Sequence, residues 1–208
     1  KENTIQFNYI MGEELINIKY RDGRKNFKLY KGAEKIFYNI NSIVGYNWCV
    51  ITEGEMDVLA LHEAGIKNVI SVPNGATLNS NNLDYLDNCI DYFEDKEKII
   101  LAVDADEAGQ ALRYEFIRRL GAEVCYLVDF NGNKDANDFL IEHGAEELRK
   151  VITSATQVPL EGVSTLRDLE ADLLDFVHNG FKPGFQVGLE NFDKIFSTYT
   201  SQFITVTG

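Results

Sequence analysis

The chain has 208 residues, 45% of them apolar and 25% charged, with only 3 Pro. That composition excludes collagen-like, low-complexity and broadly disordered classes and suits one large domain, or a compact domain with appendages. The net charge of −13 argues against unselective binding to nucleic acid, yet the charge is unevenly placed. Residues 1–48 carry 8 Lys/Arg against 5 Asp/Glu, residues 49–150 carry 9 against 21, and residues 151–208 carry 3 against 7. A basic head therefore precedes a very acidic middle.

No apolar run approaches the roughly 18–20 residues of a membrane span, and Lys1-Glu2-Asn3-Thr4 has no signal-peptide layout, so a cytoplasmic protein is expected. Cys49, Cys89 and Cys125 are far apart and odd in number, which predicts buried free thiols rather than a disulfide framework. His62, His143 and His178 are equally scattered, and no zinc site is expected.

In the head, Leu15–Tyr20 and Lys25–Tyr30 alternate partly with period two around the turn Arg21-Asp22-Gly23-Arg24, predicting a β-hairpin. Lys19, Arg21, Arg24, Lys25, Lys28, Lys31 and Lys35 lie on or beside it, forming either a phosphate-facing patch or a merely solvated face. Short apolar runs at Trp48–Thr52, Asn68–Val72, Ile99–Val103 and Glu123–Val128 then alternate with helical patterns at Glu55–Ala64, Asn82–Phe93, Glu107–Leu120 and Ala145–Ile152. The rhythm predicts an α/β domain, a mostly parallel sheet flanked by helices, with Gly65 and Gly121 as helix C-caps. Beyond Ser154 the pattern lapses. It resumes at Ser164-Thr165, N-cap candidates for an amphipathic helix bearing Leu166, Leu169, Leu173, Leu174 and Val177. Between Pro159 and Pro183-Gly184, that helix either packs on its parent domain or connects to another surface.

The acidic residues fall at strand ends, where open α/β sheets bind ligands. Glu53 follows the Trp48–Thr52 run, with Asp57 in the next helical turn; Asp104 and Asp106 close the Ile99–Val103 run; Asp135 and Asp138 precede another helix. If those ends adjoin, each carboxylate pair about 5 Å apart costs about 3 kcal/mol at an effective dielectric near 20. Mg²⁺, a hard cation that takes oxygen ligands and bridges carboxylates to phosphates, would compensate. The alternative is that the same acids cap three helix starts.

These segments resemble a known family. Glu53-Gly54-Glu55-Met56-Asp57, Asp104-Ala105-Asp106-Glu107-Ala108-Gly109 and Lys134-Asp135-Ala136-Asn137-Asp138 are similar to the three acidic motifs of the Toprim fold, in order and spacing, and Ser71-Val72-Pro73-Asn74-Gly75-Ala76 resembles the loop after its second strand. Lys19-Tyr20-Arg21 and Lys35–Asn39 resemble the basic N-terminal subdomain of phage-type, Twinkle-like DNA primase-helicases. Gly188–Ile195 and Phe203–Gly208 look like the opening of their RecA-type helicase domain, stopping where a P-loop would begin.

The resemblance implies four parts: a basic N-terminal primase subdomain (1–46), a Toprim domain (47–153), a linker with an amphipathic helix (154–182) and the truncated start of a helicase domain (183–208). It implies a DNA primase core of bacterial or phage origin, making RNA primers from ribonucleoside triphosphates on single-stranded DNA with Mg²⁺ or Mn²⁺. Helicase and ATPase activity would lie in a missing C-terminal part. Asp104, Asp106 and Asp135 would hold the metal, Glu53 would be general base or ligand, Asp57 would support them, and Lys134 would act on the triphosphate. Lys19, Arg21, Lys28 and Lys35, with Asn74 and Gly75, would bind nucleotide or DNA. The complete protein would form a homo-hexamer through the linker helix. The N-terminal zinc module of the phage-type enzymes has no counterpart here. The rival readings are an inactive Toprim scaffold of a ring helicase and a Toprim nuclease.

Overall fold

The computed structural model describes residues 4–75, 83–160, 169–180, 184–194, 196–199, 203–205 and 207. It divides into two compact units, residues 1–160 and 161–208. The first opens with an antiparallel sheet, β1 (Ile5–Met11), β2 (Glu14–Arg21) and β3 (Phe27–Leu29), in the order β1-β2-β3. The expected β2–β3 hairpin is present, pairing Arg21 with Phe27 and Lys19 with Leu29. β1, which the sequence does not predict, pairs with β2 along its whole length.

A parallel sheet follows, built from β4 (Trp48–Thr52), α1 (Glu55–Glu63), β5 (Val69–Ser71), α2 (Asp84–Asp87), β6 (Lys98–Ala102), α3 (Glu107–Leu120), β7 (Cys125–Leu127) and α4 (Ala136–Thr153). A two-residue strand, β8 (Thr156–Gln157), closes one edge antiparallel to β7, giving the order β5-β4-β6-β7-β8. The strands are apolar on both faces because both faces are covered. Cys49, Ile51, Ile99 and Leu101 enter one core with Leu112 and Phe116 of α3, and Val50, Ile100 and Ala102 enter the other with Leu61 of α1 and Phe139 and Ile152 of α4. Phe7 and Tyr9 of β1 belong to the first of these cores, so the N-terminal sheet is packed into the α/β body.

Gly65 and Gly121 follow α1 and α3 with φ of 84° and 97°, a region that costs glycine little. Cys49, Cys89 and Cys125 are buried free thiols, as expected. Two helical readings need correction. The pattern over Asn82–Phe93 yields only the single turn α2 and a 3₁₀ turn at Ile90–Phe93, because Cys89 between them leaves helical geometry (residue 82 lies outside the described residues). The helix expected at Ala145–Ile152 begins nine residues earlier, and α4 is broken at Gly144, whose φ is 83°.

The second unit holds α5 (Glu170–Asn179), α6 (Glu190–Asp193) and a bridge between Phe185 and Thr198. The proposed caps Ser164 and Thr165 lie outside the described residues. Among the described residues, no helix is long and apolar enough to cross a membrane.

Candidate functional site

A cleft of about 620 Å³ opens where β4, β5 and β6 end. The register places Thr52 beside both Ser71 and Ala102, so the segments leaving three adjacent parallel strands start from one level. Glu53, Asp57 and Asp104 line the cleft, joined by Asn74 and Gly75 from the loop after β5 and by Lys134 and Asp135 before α4. Backbone closeness makes the convergence possible. A Cβ on Gly75 would stand 3.4 Å from Glu53 Oε1, and one on Gly54 would stand 3.1 Å from Asp57 Oδ2. The Ala105 N–H donates to the Lys134 carbonyl at 3.2 Å, tying the loop after β6 to the loop before α4.

Each acid has a specific environment. Asp104 is buried, and its Oδ2 lies 3.0 Å from the exposed Lys134 ammonium. Asp57 is buried and accepts from the Asn137 N–H at 3.1 Å. Asp135 and Asp106 are N-caps: each accepts from the amide three residues on, Asp138 N at 2.8 Å and Gly109 N at 2.9 Å. Asp106 is exposed and does not line the cleft. In an extended chain, two positions of separation would put Asp104 and Asp106 on one face, but the chain turns at Asp106 to start α3 at Glu107.

Two of these acids, Asp57 and Asp104, are raised, each chiefly by burial. Burial pushes Asp57 up to about 7, helped by the Asp135 and Asp104 carboxylates and opposed by the Asn137 N–H. Burial also raises Asp104, against the pull of Lys134, with Asp135 and Asp106 adding to the rise. Lys134 is raised in turn by its bond to Asp104. The donor set is all carboxylate oxygen in a mutually repelling group, which fits a hard divalent cation. Among the described residues, however, no three His, Cys, Asp or Glu side chains stand together as a ready metal cage. Such an ion would therefore have to keep waters in part of its shell, as Mg²⁺ characteristically does.

The opposite wall comes from the N-terminal sheet, through Lys19, Arg21, Phe27 and Leu29. Lys19 is buried and pairs with the buried Glu55 at 2.8 Å, and the Tyr9 hydroxyl donates to the same Glu55 oxygen. Lys19 is thus a neutralised charge in the wall. Lys28 is exposed and Lys35 faces Asp84 at 3.8 Å, and neither lines the cleft. Tyr9, Glu55 and Phe27 were not singled out from the sequence. The alternation Ile5, Phe7, Tyr9, Met11 was the available signal for β1.

Residues 50–140 match the family described as Toprim-like. The chain is 32% identical to the Twinkle homolog protein, chloroplastic/mitochondrial, of Arabidopsis thaliana, over 100% of this chain and 32% of that protein. It is 37% identical to an Arabidopsis thaliana primase homolog protein, over 77% of this chain and 52% of that one. The chain thus spans a third to a half of these relatives. Among solved structures it is similar to bacteriophage T7 primase domains bound to an RNA/DNA hybrid and dTTP, with a TM-score of 0.58 and 26% identity, over 73% of this chain and 78% of that one.

Proposed function

This chain belongs to the Toprim primases, and on that premise we propose that it is the primase core of a larger primase-helicase, making RNA primers on single-stranded DNA with Mg²⁺ or Mn²⁺. One observation carries the reading: carboxylates from the ends of β4 and β6 and from the start of α4 share a cleft with a wall whose unneutralised cation, among the described residues, is Arg21. Anionic nucleotides need a cation between themselves and such acids, and the basic wall offers the template a separate place to lie.

Glu53, Asp104 and Asp135 would hold the ion, with Asp106 at the rim. When bound, Mg²⁺ would neutralise charge developing on the phosphates. Glu53, against the Gly75 backbone, would take the proton of a primer 3′-hydroxyl as that oxygen attacks the α-phosphate of an incoming nucleotide and pyrophosphate leaves. Lys134 would exchange Asp104 for the triphosphate. Asp57, held by the Asn137 N–H, would keep the α1 and α4 starts in register. Arg21 would steady template phosphates, and Asn74 and Gly75 would close the site beside Glu53.

The complete protein, given single-stranded DNA, ribonucleotides and Mg²⁺, is expected to make oligoribonucleotides, and Glu53→Gln is expected to lower the yield about 10²- to 10⁴-fold. Undiminished product from that variant would falsify the assignment. A second reading, an inactive scaffold, draws on Asp106 and Asp135 already capping helices. Calorimetric Mg²⁺ binding that disappears in Asp104→Asn would remove it.

A further inference from the structure

The cleft wall formed by the N-terminal sheet contains a large apolar ring that no core absorbs. Phe27 is 54% exposed, at the start of the edge strand β3. The β2–β3 register sets Arg21 opposite Phe27 and Lys19 opposite Leu29, so these four residues share one face of the sheet, the face that lines the cleft. Lys28, between Phe27 and Leu29, points the other way by the same period, which accounts for its absence from the cleft.

Both neighbouring cations lie over the ring, in cation–π contact with it, but they are not equivalent. Lys19 Nζ is 4.9 Å from the ring centroid and Arg21 Cζ is 5.7 Å. Lys19 is already balanced by Glu55, whereas among the described residues no acidic side chain pairs with Arg21. The neighbouring Asp22 is occupied within its own turn by the Arg24 and Asn26 amides and the Asn26 side chain. A half-exposed aromatic ring under a guanidinium that no carboxylate pairs with among the described residues, both facing a cleft of nucleotide-binding dimensions, matches one ligand chemistry: a flat apolar ring covalently joined to a phosphate.

We propose that Phe27 and Arg21 form a one-nucleotide platform, the ring stacking an unpaired base while the guanidinium takes its phosphate. This rests on the primase reading and deepens it, because it names the part of the nucleic acid that the N-terminal sheet grips. The base belongs either to the single strand or to the incoming nucleotide, and the two sources separate experimentally.

Affinities of the chain are measured for oligo-dT, for an abasic oligodeoxynucleotide of equal length, for ATP and for inorganic tripolyphosphate. The unmodified chain is expected to prefer oligo-dT over the abasic strand about tenfold. Phe27→Ala should erase that preference without changing abasic binding, and Phe27→Trp should keep it. Arg21→Ala should weaken both strands alike and reduce the salt dependence. If Phe27→Ala instead lowers ATP relative to tripolyphosphate and spares both strands, the stacked base is that of the nucleotide, and the platform stands. An unchanged preference in both pairs, or equal loss on abasic DNA, would overturn it. Failure of the unmodified chain to bind any of the four would count against the primase reading itself.

Discussion

Asp57 is the residue whose chemistry is most altered by the fold. A free aspartate titrates near 3.8, and burial beside Asp135 moves this one to about 7. Between those values the folded chain holds a proton that the unfolded chain has released. The group's stabilising contribution is therefore complete below pH 3.8 and is lost as pH rises through about 7, a loss of at most about 4 kcal/mol. Thermal melts in EDTA at pH 5 and pH 8 should show the unmodified chain less stable at pH 8, with Asp57→Asn reducing that difference. Parallel behaviour of the two proteins would show that Asp57 is ionised without penalty. Adding Mg²⁺ at pH 8 should return much of the lost melting temperature, because a bound cation removes the cost of the ionised form.

Glu55 poses the opposite case. It sits in the same segment as Glu53 and Asp57, yet it faces Lys19 and Tyr9. Removing one partner of a buried pair leaves a buried charge, so Glu55→Ala should cost about 3–5 kcal/mol, whereas Lys19→Met with Glu55→Leu should recover most of it. Denaturant midpoints for the single and double variants provide the check. Positions 9, 19 and 55 meet only after β1 and β2 have packed on α1. A one-dimensional reading could quote Glu55 within its motif and still not assign it a partner.

At the scale of elements, legibility followed how far each segment's pattern was decided locally. β4 and α3 have the bounds that the sequence predicted, since an apolar strand doubly covered and a helix ended by Gly121 need little from elsewhere. β1 was missed although it carries alternation, because the apolar Ile10 falls on the exposed face, where the period calls for a polar residue, and blurs the pattern. The carboxylate positions were legible as strand ends. Their individual directions were not, since Asp106 and Asp135 turn one oxygen back to cap α3 and α4. Gly109 shows how tightly α3 meets the segment that leaves β6. A Cβ there would lie 2.2 Å from the Asp104 carbonyl oxygen, a backbone atom that cannot rotate away. Gly109→Ala should cost about 1–3 kcal/mol and displace Asp104. Loss of Mg²⁺ affinity beyond what the drop in melting temperature explains would identify the displacement; unchanged melting and affinity would refute the close packing.

Across the whole molecule, the two units differ in how they treat apolar surface. The first builds cores on both faces of its parallel sheet. In the second, α5 buries none of its side chains, and Leu169, Leu173, Leu174, Phe176 and Val177 at its start and along it are all exposed. A ten-residue helix is too short to persist in water by propensity, and its stability comes from whatever covers its apolar stripe. A second copy of the protein is the partner to test, because under the proposed primase-helicase reading a connector helix would repeat in every subunit of a ring, and one such stripe would serve each neighbour. Sedimentation of the complete protein should show rings that weaken when Leu169 and Leu173 are both changed to Ser. Because every residue of the cleft lies in the first unit, the same variant should retain Mg²⁺ binding and primer synthesis on single-stranded DNA. Intact rings would assign the stripe to another surface, and loss of Mg²⁺ binding would show that the two units are not independent.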